Sequence, residues 1–181
     1  MVEAFDRLLA TKPVDKITVS AIAQEADVDR KTFYQHFGSV EGLIDAIAEA
    51  FVASILDEVG ASFDHSLIAE DRAAALRAFF RALVEHLSQG LERERGYFEN
   101  MPADMLFERL LAPFERQIVE RGLLTGYVPD EKIVSCLSFV LGGVLALFRW
   151  WLASGEPVPI EELADLANTL TESGLRGVHE V

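Results

Sequence analysis

The chain has few of the residues on which catalysis, metal binding and disulfide bonding depend. It contains one cysteine, Cys136, so neither a disulfide nor a cysteine-based metal site can form within the chain. Its four histidines, His36, His65, His86 and His179, show no HxxxH or HExxH spacing. No Gly-rich phosphate loop follows an apolar strand. We therefore expect no catalytic residues, no metal site and no cofactor, and we predict that the chain is not an enzyme.

Basic residues are also scarce. The 181 residues include 16 Lys and Arg against 30 Asp and Glu, which gives a formal net charge of −14. This charge argues against a protein that coats nucleic acid, although it leaves room for a DNA reader with a locally suitable face. The acidic pairs Glu92/Glu94 and Glu161/Glu162 fall on polar faces of predicted helices, so we expect them to be solvated.

Apolar residues recur at three- and four-residue intervals through most of the chain, and half of all residues are hydrophobic. This pattern predicts an all-α fold, with an N-terminal three-helix module followed by a helical bundle. Gly96 is expected to interrupt a short charged helix, and Pro113 to kink the next one. The predicted helices span about residues 2–10, 18–26, 29–36, 40–60, 70–89, 102–118, 131–155 and 160–171, with a loop at 122–129.

Residues 18–37, TVSAIAQEADVDRKTFYQHF, predict two short helices joined by a tight turn. Thr18 or Ser20 can cap the first helix by accepting a hydrogen bond from a backbone N–H. The Asp-Val-Asp sequence that starts at Asp27 favours a turn, and Asp29 is the expected cap of the second helix. The stretch therefore predicts a helix-turn-helix, which reads the DNA major groove with the first residues of its second helix.

The same stretch resembles a known family. The run I-A-x-x-A from Ile22, a hydrophobic residue in the turn and T-F-Y-x-H-F from Thr32 are similar to the DNA-binding signature of TetR-type transcriptional regulators. The resemblance implies a DNA-binding domain at residues 1–45 and an effector-binding and dimerisation domain at residues 46–181. It also implies a homodimer on a pseudo-palindromic double-stranded operator, in most cases as a repressor.

The second helix of the motif carries the candidate DNA contacts. Phe33 and Phe37 are expected to face inward, which leaves Arg30 and Lys31 free to reach guanine acceptors or phosphates. By resemblance, Thr18, Tyr34 and His36 contact phosphates; a merely solvated helix face is the alternative. The expected DNA-binding residues are Thr18, Arg30, Lys31, Thr32, Tyr34 and His36.

Two features depart from the family pattern. Val40 stands where the family usually has a phosphate-binding lysine, and residues 1–50 carry five basic against nine acidic side chains, a net charge of −4. Few phosphate contacts are therefore expected. The chain also looks similar to a TetR subgroup that includes regulators of dihydroxyacetone kinase operons, which can work with a kinase-like partner. The alternative function is therefore a weakly DNA-binding co-regulator that acts through a protein partner.

Aromatic and methionine side chains cluster in the middle of the chain, around the predicted Pro113 kink. Ligand pockets are usually apolar with a few polar groups, so this set can line a site for a small-molecule effector. A plain hydrophobic core has the same composition and stays open as the alternative. The candidate pocket residues are Phe79, Phe80, His86, Tyr97, Phe98, Met101, Met105, Phe107 and Phe114.

The stretch 131–155 is apolar almost all round. Its length permits a transmembrane span, but Arg149 lies within it, and a bundle helix covered partly by a partner subunit fits better. The first residues do not have the pattern of a signal peptide, so we expect a cytoplasmic protein without a membrane partner. The resemblance implies that the last two helices form the dimer. The interface candidates are Phe139, Gly142, Gly143, Ala146, Trp150, Leu163, Leu166 and Leu170.

Overall fold

The computed structural model describes residues 1–61, 72–123 and 128–179, and the part of the chain that it describes is helical without strands, as the sequence predicts. His65, the predicted helix positions 70 and 71, and the loop residues 124–127 lie outside the described residues. Short 3-10 helices occupy Val14–Lys16 and Asp130–Lys132. The α-helices are α1 Val2–Leu9, α2 Val19–Glu25, α3 Arg30–Phe37, α4 Val40–Ala61, α5 Arg72–Gln89, α6 Leu91–Asn100, α7 Ala103–Glu120, α8 Ile133–Ala153 and α9 Ile160–His179.

The chain divides into two compact units. The N-terminal unit consists of Met1–Phe51 and Gly90–Leu110, and the C-terminal unit consists of Val52–Gln89 and Leu111–Val181. Helix α4 contributes residues to both units. The segment that contains α6 therefore belongs to the N-terminal unit, although it follows α5 in sequence.

The core of the N-terminal unit is built from apolar side chains of α1 to α4, with two more from α6 and its end. Helix α1 packs against both α2 and α6, and α2 packs against α3. Removing these side chains from water is the main stabilising contribution to the unit. The fully buried members are Phe5, Leu9, Ile22, Phe33 and Leu43. Tyr97 of α6 and Met101, the residue that follows this helix, complete the core.

Two expectations about α6 were wrong. Gly96 does not interrupt the helix but lies inside it, where a Cβ atom would sit 3.4 Å from the Cα of Ala10. This distance is an ordinary van der Waals contact, so α6 lies directly against the end of α1 at this position. Glu94 is buried rather than solvated, and its carboxylate accepts hydrogen bonds from Arg93, whose Nη2 lies 2.7 Å from Oε1.

A buried hydrogen bond also joins α6 to α1. The Tyr97 hydroxyl donates to Oδ1 of Asp6 at 2.5 Å, across 91 positions of sequence, and the Tyr97 ring lies 6.2 Å from that of Phe5. Burial raises the pKa of Asp6 above its ordinary value, with the Tyr97 hydrogen bond acting in the opposite direction. Burial and the nearby Asp6 raise the pKa of Tyr97, so the phenol keeps its proton and remains the donor.

We expect Tyr97→Phe to lower the free energy of unfolding by about 1–3 kcal/mol, because the Asp6 carboxylate loses its donor in a partly buried site. Thermal and urea unfolding measure this loss. Tyr34→Phe is the matched control, since Tyr34 is 55% exposed, and its change should stay within about 0.5 kcal/mol. Equal losses for both variants would show that the Tyr97 hydroxyl contributes nothing specific.

In the C-terminal unit, α9 packs against α5 and α8. Helix α7 is assigned as one helix through Pro113. Helix α9 runs on to His179, well beyond the predicted end near residue 171. The extension follows from a buried stripe at four-residue spacing, formed by Leu163, Ala167, Thr171 and Leu175, which continues despite the later glycines.

Candidate DNA-binding surface and ligand cavity

Local hydrogen bonds fix the start of α2 and α3. Oγ1 of Thr18 accepts from the backbone N–H of Ala21 at 3.2 Å, and Oδ1 of Asp29 accepts from that of Lys31 at 2.6 Å. Both side chains act as N-caps, so Thr18 rather than Ser20 caps α2. Asp27 closes the turn with φ of 52°, a left-handed conformation that aspartate tolerates better than most residues. The caps hold α3 in a defined orientation on α2.

Helix α3 separates an apolar face from a polar one. Phe33 is fully buried, and its ring lies 5.6 Å from that of the partly buried Phe37. The polar side chains proposed to bind DNA cover the remaining surface, together with the cap of α2. Thr18, Arg30, Lys31, Tyr34 and His36 are exposed, and Thr32 is half-buried. Five of the six residues thus lie on α3, and the sixth, Thr18, caps the start of α2.

Arg30 and Lys31 stand outside the ion pairs of the N-terminal unit, beside the exposed carboxylates of Asp27 and Asp29. Nε of Arg7 pairs with Oε1 of Glu25 at 2.6 Å, and Lys16 pairs with Asp15 at 3.1 Å. Within the described ranges, neither Arg30 nor Lys31 takes part in a salt bridge. The Arg30 guanidinium donates a 3.4 Å hydrogen bond to Oγ of Ser20. Both cations are therefore available to an incoming phosphate or base.

The start of α4 adds no cation to this surface. Val40 packs against the hydrophobic core of the N-terminal unit, so its side chain is used for packing. Ser39 accepts from the backbone N–H of Gly42 at 3.1 Å and begins the helix. Hydrogen bonds from the backbone N–H of Glu41 and from Ser39 lower the pKa of the Glu41 carboxyl. The residue after Val40 is therefore an ionised carboxylate and not a cation.

Sequence reasoning missed two residues of this surface. Gln35 is exposed one helical turn after Lys31, on the same side of α3. Ser20 is exposed on α2 and receives the hydrogen bond from Arg30. The i,i+4 relation between Lys31 and Gln35 would have identified the first of these. The second depends on how α2 and α3 cross, which the periodicity of either helix alone does not give.

The structure divides the candidate pocket residues between the two units. Tyr97, Phe98, Met101, Met105 and Phe107 belong to the N-terminal unit, where Tyr97 and Met101 are core residues and Met105 packs against that core. The rest of the set belongs to the C-terminal unit. These residues are Phe79, Phe80, His86 and Phe114.

A cavity of about 170 Å³ lies wholly within the C-terminal unit. Of the candidate pocket residues, Phe79 and Phe114 line it, with ring centroids 5.8 Å apart. Cys136 also lines it and is half-buried. The other lining side chains are mainly apolar, and they include Leu56, Leu76, Ile118 and Leu137.

Helices α8 and α9 carry exposed apolar side chains. Phe139 is 78% exposed, and Trp150, Leu166 and Leu170 are about half exposed. Gly143 and Ala146 are exposed and Gly142 is half-buried, whereas Leu163 is buried within its own unit. Most of the candidate interface residues thus form an apolar surface of the kind that marks an interaction site.

One helix in the described part of the chain, α8, is long and apolar enough to cross a membrane by length and composition. Buried residues make up 17% of its most apolar segment. Core helices of bundles meet the same criteria, so this property does not define a span.

Comparison with known proteins places the helix-turn-helix in a family. Residues 2–47 match the N-terminal domain of bacterial regulatory proteins of the tetR family. The HTH-type transcriptional regulator AlkX of Mycobacterium tuberculosis is 33% identical over 111 residues, which cover 61% of this chain and 45% of the relative. The chain therefore matches less than half the length of this curated relative.

Two crystal structures are similar to the chain over nearly its whole length. The structure of RolR without ligand has a TM-score of 0.56 and 23% identity, and it covers 99% of this chain and 95% of that one. This similarity supports the fold. The structure of the TetR family repressor AlkX from Dietzia sp. strain DQ12-45-1b has a TM-score of 0.48 and 21% identity. The match covers 98% of this chain and 96% of that one.

The capped helix-turn-helix, the matched N-terminal domain and the shared all-helical fold agree with one another. Residues 2–47 therefore carry a helix-turn-helix domain of the kind found at the N-terminus of bacterial regulatory proteins of the tetR family, within an all-helical fold.

Proposed function

We propose that the chain is a repressor that binds a pseudo-palindromic operator as a homodimer and leaves it when a small molecule binds the C-terminal domain. In this proposal residues 1–45 bind DNA, and residues 46–181 bind the effector and form the dimer. The protein works in the cytoplasm without a membrane partner. The observation that carries the proposal is the pair Arg30 and Lys31, exposed at the capped start of α3 and outside the salt bridges among the described residues.

The polar groups of the motif divide into two roles. Arg30 and Lys31 reach the guanine O6 and N7 acceptors in the major groove. Thr18, Thr32, Tyr34 and His36 fix the position of α3 through phosphate contacts. Thr18 accepts a hydrogen bond as a helix cap, which leaves its own O–H group to donate to a phosphate.

Dimerisation supplies the affinity that one acidic module lacks. The apolar surface formed by Phe139, Trp150, Leu166 and Leu170 meets its copy in a second subunit, which removes these side chains from water. Two α3 helices then enter successive major grooves about 34–36 Å apart. Because the subunits are linked, two modest half-site affinities combine into one stronger operator affinity.

The effector acts by linkage. A ligand that binds the free conformation better than the DNA-bound one must weaken operator binding by the same factor, with a coupling of about 1–3 kcal/mol. The cavity of the C-terminal unit is the proposed site, since it is concave, mainly apolar and lined by Phe79 and Phe114.

The acidic N-terminal module favours a second candidate function. Its net charge of −4 over residues 1–50 and the packing of Val40 into the core reduce the phosphate contacts available to the chain. In this alternative the chain is a co-regulator that reaches its promoter through a protein partner.

A footprint on the DNA upstream of the chain's own gene tests the proposal. We expect one protected pseudo-palindrome that binds two chains, and loss of protection in a scrambled sequence of the same composition. Equal binding to both sequences would overturn operator recognition. Protection that appears only after a cell extract is added would favour the co-regulator.

A further inference from the structure

The size of the C-terminal cavity limits the molecules that it can hold. Its volume is about 170 Å³. An engineered protein cavity of about 150 Å³ with apolar walls binds benzene. The enclosed part of this half-open cavity therefore suits one six-membered ring with a small substituent, whereas much of a long alkyl chain or a fused polycycle would extend into solvent.

The walls of the cavity favour an aromatic guest. The rings of Phe79 and Phe114 have centroids 5.8 Å apart and an interplanar angle of 39°. Ile118 and Leu137 add aliphatic surface. An aromatic ring gains contact area and favourable edge and face interactions against two such phenyl groups.

The polar part of the wall comes from α9 and determines the charge of the guest. It consists of Thr171, Glu172 and Arg176, and Arg176 donates from Nη2 to Oε1 of Glu172 at 2.6 Å. Arg176 is largely exposed and already paired with Glu172, so an anionic ligand in the apolar space would have to compete with this carboxylate for the guanidinium and lose part of its hydration. A carboxylate has further acceptor positions beyond the one that Arg176 uses. A neutral ligand can therefore donate an O–H or N–H hydrogen bond to Glu172.

We propose that this cavity binds a neutral, single-ring aromatic molecule with one hydroxyl or amino donor, of the phenol or aniline class. The ring packs against Phe79 and Phe114, and the donor points to Glu172 on α9. The regulatory meaning of this ligand rests on the proposed function, but binding itself does not, so it is measured without DNA.

Phenol, toluene, benzoate and decanoate are the probes. Calorimetry on the full chain measures their affinities, and the single thiol of the chain, Cys136, gives a second readout because it lines the cavity. We expect phenol to bind, to slow the reaction of Cys136 with a thiol-reactive dye, and to bind at least tenfold more tightly than benzoate or decanoate. Failure of phenol to bind, or tighter binding of either carboxylate, would overturn the ligand class.

Neighbouring residues on α7 provide a matched pair of variants. Ile118 is buried and lines the cavity, whereas Val119 is 54% exposed and does not. We expect Ile118→Phe to fill the space and weaken phenol binding at least tenfold, while Val119→Phe binds phenol as the unmodified chain does. Equal affinities in the two variants would show that phenol binds elsewhere.

Glu172→Leu tests the hydrogen bond from phenol to Glu172. Unlike Ile118→Phe, it does not alter a buried residue. It removes the acceptor and keeps a side chain of similar size, so phenol affinity should fall about tenfold while toluene affinity stays unchanged. An equal effect on both probes would contradict the donor assignment. If phenol binds as expected but never changes DNA affinity, the ligand class stands and the proposed repressor mechanism fails.

Discussion

Replacing Arg30 and Lys31 by alanine together should abolish operator binding while leaving the dimer folded. Both side chains are exposed, outside any salt bridge of the described chain, and placed at the start of α3 by the Asp29 cap. A good bidentate base contact contributes about 1–3 kcal/mol, and the dimer loses each contact twice. We therefore expect an affinity loss of roughly a thousandfold or more in a fluorescence anisotropy titration.

Two exposed arginines of the C-terminal unit provide the control for the change in net charge. Arg77 and Arg81 are exposed on α5 in the C-terminal unit, and their replacement by alanine makes the same change in charge. This control should bind the operator within about threefold of the unmodified chain, because distant exposed charges are screened at moderate salt. If the two double variants weaken binding equally, general electrostatics and not the α3 surface explains DNA binding.

Placing a carboxylate on α8 should also greatly weaken operator binding, because it should separate the subunits. Phe139→Glu puts a charge on a side chain that is 78% exposed in the single chain and buried in the proposed dimer. Burying that charge at the centre of an apolar interface costs several kcal/mol, so the subunits should separate. Light scattering should then report the mass of one chain, and operator affinity should fall by at least a hundredfold because the half-sites no longer bind together.

Val119→Glu is the matched control for this experiment. Val119 is also a large exposed apolar residue, but it lies on α7 and outside the proposed interface. This variant should remain a dimer and bind the operator. A Phe139→Glu protein that still has the mass of two chains would place the dimer interface elsewhere.

The sequence predicted the helix-turn-helix well because its determinants are local. The caps Thr18 and Asp29, the left-handed turn at Asp27 and the buried Phe33 all depend on residues within a few positions of one another. Hydrophobic spacing and cap chemistry are sufficient to identify such features.

The candidate effector site was harder to predict because it depends on long-range packing. Tyr97 and Met101 belong to the N-terminal core because α6 packs against α1, where Gly96 lies next to Ala10 and Tyr97 donates a hydrogen bond to Asp6. Nothing in the periodicity of residues 90–110 indicates that partner. An aromatic side chain at helical spacing predicts burial, but it does not say in which of two units the burial occurs.

The central claim is that this acidic module reads DNA through a small cationic surface on α3. The most direct test is the affinity for its operator and for scrambled DNA across a series of salt concentrations. Arg30 and Lys31 from two subunits bring four cations to the DNA, so we expect a specific complex whose logarithmic salt slope is no steeper than about −3.6, well below that of a strongly basic regulator. The scrambled DNA should bind far more weakly at every salt concentration. Absence of any complex with the operator at low salt would contradict the account and favour a regulator that depends on a protein partner.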